Sequence, residues 1–467
     1  MGFNSISRRE FLSGGAKGGA ALLLGGGALG SVLEACGSSP STSSAESKTI
    51  AVEIDEGQNA EPFLWFNSGM KAKFGVQTNI IGLPFVGQYE KIVAELVARS
   101  NVYDVLVFPP YFMGDFVAKG FLSKLTDFGP ESAFDLADVM PAYRDPYLKR
   151  NGELYAANYD GDVLQVTYRK DIFAKHGISS PPTTWDGYLA VSKELHHPPH
   201  TYGNAFYGQR GFCYAWFANI FAAYGGKWFD SQMNPQISTD AGVRALEMLL
   251  ELNRYAPPNE LGIGYPQLNQ VYLNGSTAMV VQWDDLALKA ENPQMSKVVG
   301  LNGYAPCPVR SYMPYSRVMA ISAFSSNPHN SWKVIQYMNS SAVSIKDVYD
   351  PGCGEDPFRY SQLNPAAVKN HLGQPTMSPT QATEYVNAIK GCVAEGYPEL
   401  SIPGAFHYLD TLDLFVNEAL AGSMSPYQAL QGAVSEWSAI TGSLGQSSQV
   451  AAYQAWIQSF AAAGVSY

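Results

Sequence analysis

Between Thr49 and Phe108 the chain alternates strand-like and helix-like stretches, and this alternation restricts the fold more than any other feature. Thr49-Ile50-Ala51-Val52-Glu53-Ile54 reads as a strand, followed by a polar turn, Asp55 to Asn59, and an aromatic-rich helical stretch to Phe74 with Gly75 as its C-cap. Val76 to Ile81 alternates apolar and polar residues as a strand does. Tyr89, Ile92, Val93, Leu96 and Val97 fall on one helix face, and Tyr103 to Phe108 is a buried-strand run stopped by Pro109-Pro110. Strand, helix, strand, helix, strand at this spacing predicts right-handed βαβ units and a mostly parallel sheet. Ligands of such sheets gather at the carboxyl ends of strands, so the loops at 55–61, 82–89 and 109–113 are candidate site loops.

A second α/β set follows. Leu164, Val166 and Tyr168 alternate along a strand, and Thr184 is placed to N-cap a helix after Pro181-Pro182. Ser238-Thr239-Asp240 opens a helix with Val243, Leu246 and Leu250 on one face. Ala278 to Trp283 and Val318 to Ser322 read as strands, Asn327-Pro328 starts a helix to Met338, and from Pro379 onward the pattern is helical. Two such sets in 467 residues point to two lobes. With 46% hydrophobic and 15% charged residues, the chain has material for large cores and too little charge for a disordered or coiled-coil protein. A net charge of −11 repels phosphate backbones and disfavours nucleic-acid binding. Aromatic residues reach 13%, which suits either aromatic cores or platforms for flat apolar ligand faces, including sugar rings.

The N-terminus reads as an address. Ser7-Arg8-Arg9-Glu10-Phe11-Leu12 is a twin-arginine export signature, and Gly14 to Val32 has the length and Gly content of a signal-peptide apolar region. Leu33-Glu34-Ala35-Cys36-Gly37 is similar to a bacterial lipobox, departing from it at Glu34. The expectation is a signal peptide over 1–35, then lipidated Cys36 and a Ser-rich tether over 36–47. Cys213, Cys307, Cys353 and Cys392 remain, which in an exported protein permits up to two disulfides in any of three pairings. Their long spacings disfavour zinc and iron–sulfur clusters, and no cofactor motif occurs.

Several segments in order resemble one family. Tyr103 to Phe108 followed by Gly120-Phe121-Leu122-Ser123-Lys124-Leu125 is one. Gly152-Glu153-Leu154-Tyr155-Ala156 and then Leu164 to Phe173, with Arg169 where Asn is usual, is another. Pro181 to Asp186 has Gly187 where Glu is common, so a capping box is lost, and Tyr272 to Met279 completes the set. Together they resemble extracellular solute-binding proteins of the carbohydrate type, the receptors of ATP-driven importers, similar in plan to maltose-binding protein. Asp356-Pro357-Phe358-Arg359-Tyr360-Ser361 resembles a signature of the sugar and polyol subgroup. The resemblance implies an α/β, two-lobe periplasmic-binding-protein type II fold with discontinuous lobes joined by hinge segments. Lobe one would hold 48–160 plus 305–345, and lobe two 161–304 plus 346–467.

A neutral, hydroxyl-dense solute needs carboxylates, amides or Arg for hydrogen bonds and rings to cover its C–H faces. Asp160 and Asp162 flank Gly161 at the expected lobe crossing, and Asp160 is the candidate acceptor, or else one of a turn pair. An Asp-x-Asp pair can ligate a metal, but no third and fourth ligand is visible nearby, so no metal is expected. Trp283 with Asp284-Asp285 offers a stacking platform and an acceptor, and Arg359, between aromatics, is the candidate cationic donor. Glu56, Tyr89 and Tyr111 follow from the strand-end rule. Tyr214, Trp216 and Trp228 suit core or site equally. His196, His197 and His200 share a Pro-rich loop without helical metal spacing and read as solvated. No G-x-S-x-G, H-E-x-x-H or P-loop occurs, so a non-enzymatic receptor is expected. It would capture a small carbohydrate or polyol, need no cofactor, act as a monomer, and deliver its solute to ABC permease subunits. It would sit in the periplasm or on the outer face of the cytoplasmic membrane, lipid-anchored. The alternatives are a secreted glycoside hydrolase using Asp284-Asp285 or Asp160 with Asp162, and a same-fold receptor for a non-sugar solute.

Overall fold

The computed structural model describes residues 46–313, 317–465 and 467. The twin-arginine motif, Cys36 and nearly all of the Ser-rich tether lie outside the described residues. The first strand, Thr49–Asp55, pairs in parallel with Gln77–Leu83 on one side and Val105–Phe108 on the other, as the alternation requires. Helix Glu61–Phe74 makes the first crossover and ends at Gly75, whose φ of 70° is the left-handed cap that glycine adopts without steric cost. Helix Gln88–Val97 makes the second and buries Tyr89, Ile92 and Leu96. Val318–Ser322 then joins antiparallel to Val105–Phe108, and Leu122–Ser123 and Ala156–Asn158 pair antiparallel with it, completing a six-stranded sheet.

The second sheet departs from the parallel expectation. Leu164–Arg169 lies between Met279–Trp283 and Asn302–Pro306, and both pairings are antiparallel. The reason is where the chain must enter and leave. Pro306 lies opposite Gln165 and Trp283 opposite Leu164, so both neighbours end where the central strand begins. The chain therefore leaves the second sheet beside its entry point and returns to Val318–Ser322 of the first. A two-stranded parallel pair, Ser311–Met313 with Gly396–Pro398, sits on this return path.

Both sheets belong to one compact unit, Glu46–Tyr467. Its C-terminal part is helical, as expected, with Pro379–Ala394, Ala405–Leu420, Pro426–Leu444 and Gln446–Ala462, interrupted by the strand Gly396–Pro398. Thr184 caps helix Trp185–Glu194 by accepting from the Gly187 N–H at 3.1 Å. In helix Asp240–Asn253 the buried face is Ala245, Leu246, Leu249 and Leu252, one step round from the expected stripe. Cys213, Cys307, Cys353 and Cys392 are buried free thiols. Among the described residues no helix is long and apolar enough to cross a membrane.

Candidate functional site

The topology brings strand ends from both sheets to one place. Asp55 and Glu56 leave the carboxyl end of the first strand. Arg317 precedes Val318, which pairs with Phe108 at the carboxyl end of the third, so the guanidinium emerges at the same edge. Asp162 lies on the segment crossing to the second sheet, and Trp283 ends a strand there. These residues enclose a cavity of about 420 Å³ together with Gln58, Phe85, Tyr207, Phe212, Tyr265 and Asp285. Two cavities of similar volume lie elsewhere, beside Trp456 (about 440 Å³) and beside Pro257 (about 460 Å³), but neither is lined from both sheets.

Rings form one wall. The Trp283 ring sits 5.3 Å from Phe212, 5.4 Å from Trp216 and 5.7 Å from Tyr265, a packed aromatic group that fixes its orientation. Charge forms the other. Arg317 donates to Asp55 from Nε at 2.5 Å and from Nη2 at 2.7 Å, and its Nη1 lies 3.5 Å from Asp160 Oδ2. Burial opposes the guanidinium's charge, yet the Asp55 carboxylate beside it holds its pKa above the ordinary value. Such a bidentate pair fixes both groups for ligand hydrogen bonding. Asp285 accepts from the Tyr265 hydroxyl and from Lys289 Nζ at 2.6 Å. Gln58 reaches from the first-sheet side to the Tyr265 hydroxyl at 2.7 Å, and Phe85 meets Phe212 at 5.8 Å, so the two walls touch.

The structure brings Glu56 and Trp283 into this lining and places the other expected site residues elsewhere. Asp160 is fully buried behind the cavity, accepting from the N–H groups of Gly161 and Asp356. Asp284 is also fully buried, accepting from the Tyr385 hydroxyl at 3.2 Å, and its neighbour Asp285 faces the cavity. Tyr89 is a core ring, stacked on Phe406 at 4.2 Å with its hydroxyl on Asp115. Tyr111 is buried edge-on against Phe112. Arg359 has no exposed surface and donates to the carbonyls of Phe134, Asp135 and Asn339, tying loops together. The His196 ring bonds the Tyr255 carbonyl and joins no metal-type cluster.

Asp162 and Asp285, which the sequence names beside Asp160 and Asp284, are the members of each pair that reach the lining, and Asp55 opens the candidate loop at 55–61 without being singled out there. Arg317 carries no such signal, because it precedes an antiparallel strand, where the strand-end rule does not look.

Two α/β sheets whose strand ends enclose a ring-walled, carboxylate-edged cleft define a two-lobe binding protein. Residues 53–344 match the bacterial extracellular solute-binding protein family, and the chain belongs to it. A mannitol-binding protein of Pseudomonas aeruginosa is 26% identical over 224 residues, 47% of this chain and 51% of that protein, so the match spans about half of that relative's length. A probable amino-acid ABC transporter periplasmic-binding protein of Sinorhizobium fredii is 24% identical over 365 residues, 76% of this chain and 80% of that protein. Among solved structures, an ABC transporter solute-binding protein of Agrobacterium radiobacter in complex with ribitol has a TM-score of 0.73 at 22% identity, covering 83% of this chain and 97% of that one. A maltose-bound protein of T. maritima has a TM-score of 0.74 at 18% identity, covering 84% and 99%. At these identities the likeness is one of fold.

Proposed function

We propose that the protein is the solute receptor of an ABC importer and that its cleft takes one small polyol or sugar. The observation that carries this is the composition of the cleft. Trp283, Phe212, Tyr207 and Tyr265 offer ring surface, while Glu56, Asp162, Gln58 and the Arg317–Asp55 pair offer hydrogen bonds, in about 420 Å³. That volume is near the small end of the roughly 300–1,000 Å³ of ligand pockets. A hydroxylated chain satisfies both walls, since each hydroxyl donates to a carboxylate and accepts from Arg317 or an amide. Relatives named for mannitol and ribitol support the same class. An amino acid would bring a further carboxylate among Asp55, Glu56, Asp162 and Asp285, and among the described lining residues the one cation, Arg317, has its charge already balanced by Asp55.

The reading is non-enzymatic. Asp160 and Asp284 are fully buried and Asp285 is paired with Lys289, which supports binding rather than a hydrolase acid–base pair. We place the lobe boundaries near 48–160 plus 305–345 and 161–304 plus 346–467; the strands of the first sheet fall in the former and those of the second in the latter, except that Ala305 and Pro306 complete the second-sheet strand Asn302–Pro306. The short pair Ser311–Met313 with Gly396–Pro398 bridges them. Export by the twin-arginine route, anchoring through lipidated Cys36, a monomeric state and delivery to permease subunits complete the proposal.

Titration of the purified protein with mannitol, ribitol, maltose and a panel of amino acids, followed by calorimetry and Trp fluorescence, tests it. The expected result is saturable binding of a polyol or sugar without turnover, lost at least tenfold in Trp283→Ala. Binding confined to amino acids, or release of reducing ends from oligosaccharides, would overturn it.

A further inference from the structure

Behind the cleft the fold gathers carboxylates that are far apart in sequence. One ligand-capable oxygen from each of Asp160, Asp162 and Asp356 lies within 4.8 Å of the others, and all three residues are buried. Two oxygens on opposite sides of a calcium ion bound at about 2.4 Å stand about 4.8 Å apart, so this spacing is that of one coordination sphere. Asp356 supplies an independent observation that points to a ligand. Its side chain is fully buried, and neither carboxylate oxygen has a hydrogen-bond donor. Leaving a buried charged group so is costly in a folded protein.

The approach of the segment carrying Asp356 depends on Gly161. A Cβ there would lie 2.5 Å from the Pro357 carbonyl oxygen and 2.6 Å from the Phe358 Cβ. The Asp-Gly-Asp sequence therefore presents two carboxylates while letting the third close over them. The Asp160 carboxylate accepts the Asp356 N–H at 2.7 Å, which fixes the two segments together. Nearby positive charge is shared with other acids: Arg317 pairs with Asp55 and also reaches Asp160 Oδ2 at 3.5 Å, Lys289 pairs with Asp285, and neither cation donates to Asp356. The Asp284 carboxyl also lies against Asp356, adding a fourth acid.

We propose that Asp160, Asp162 and Asp356 bind one divalent cation of the hard, oxygen-preferring kind, calcium foremost, at the crossing between the two sheets. Three carboxylates without His or Cys select against zinc and copper. A buried, all-protein site suits calcium better than magnesium, which gives up its waters reluctantly. The ion would neutralise the acids and pin the crossing segment to Gly354–Phe358, steadying the floor on which Asp162 reaches the cleft. The competing way to hold these acids is a proton shared between Asp356 and Asp284.

Metal analysis of the purified protein, followed by thermal denaturation after EDTA and during calcium titration, separates the two. The expected result is about one calcium per chain, a melting temperature lowered several degrees by EDTA, and recovery that climbs with the logarithm of calcium concentration. Asp356→Asn should lose both the ion and the response to EDTA. A wild-type protein with no stoichiometric divalent metal, and a melting temperature indifferent to EDTA and to millimolar calcium, magnesium or manganese, would overturn the proposal. So would an Asp356→Asn variant that keeps the ion. The wild-type measurements decide the matter even if the variant does not fold, and none of them depends on which solute the cleft binds.

Discussion

In the proposed recognition surface Trp283 supplies ring and Arg317 supplies charge, and each is held in place by a neighbouring side chain. Trp216 sets the plane of one, and Asp55 the fork of the other. Buried carboxyls elsewhere show what the same low-dielectric interior does without a cation. Glu260 is buried, accepts one hydrogen bond from the Phe206 N–H at 2.9 Å, and has its other oxygen unpartnered. Burial pushes its pKa up to about 8, against the pull of that N–H. In the unfolded chain it ionises near 4.5, so the folded state binds the extra proton between these values. Its stabilising share is therefore complete below pH 4.5 and is lost as pH rises to about 8. Gln is an isostere of the neutral acid and carries no such loss. Glu260→Gln should match wild type near pH 5 and exceed it near pH 8.5 by on the order of a few kcal/mol. Denaturation at the two pH values checks this, and an equal pH dependence for both proteins would contradict it.

At the scale of elements, local chemistry made the first strands and helices legible. Gly75 and Thr184 cap as their residue types dictate, and the Tyr103–Phe108 run fixes a central strand. Partner choice was not legible, because apolar alternation marks a strand without saying which way its neighbour runs. The antiparallel second sheet depends on where the chain must return, a property of positions more than a hundred residues apart. Some expected site residues lie outside the cleft lining for a related reason. Tyr89 satisfied both a loop rule and the apolar periodicity of its helix, and packing prevailed. The third carboxylate beside Asp160 and Asp162 comes from Asp356, invisible to any local spacing. The C-terminal helices carry a clear local signal. Ser425 accepts the Gln428 N–H at 3.3 Å, and the Gln428 side chain accepts the Ser425 N–H at 3.1 Å, with Pro426 in the first turn. Ser425→Ala should cost about 1 kcal/mol in equilibrium denaturation. An unchanged midpoint would show that tertiary packing alone holds this helix.

For the whole molecule, the two walls of the cleft are linked by contacts a hinge motion would break. These are the Gln58–Tyr265 hydrogen bond and the Phe85–Phe212 ring contact. Both are small, while the chain passes between sheets through the Asp160–Val163 crossing and the return after Pro306. In the proposed receptor, a solute that touches both walls would add to the closed arrangement's stability and shift the population toward it, giving a permease a state to recognise. The most direct measurement is a crystal structure of the protein with its co-purified or titrated solute. The expected result is one intact hydroxylated molecule in the cleft of about 420 Å³, one face on Trp283 and its hydroxyls on Arg317, Asp162 or Glu56. A solute seated in either of the other cavities, or a cleaved product in this one, would contradict it.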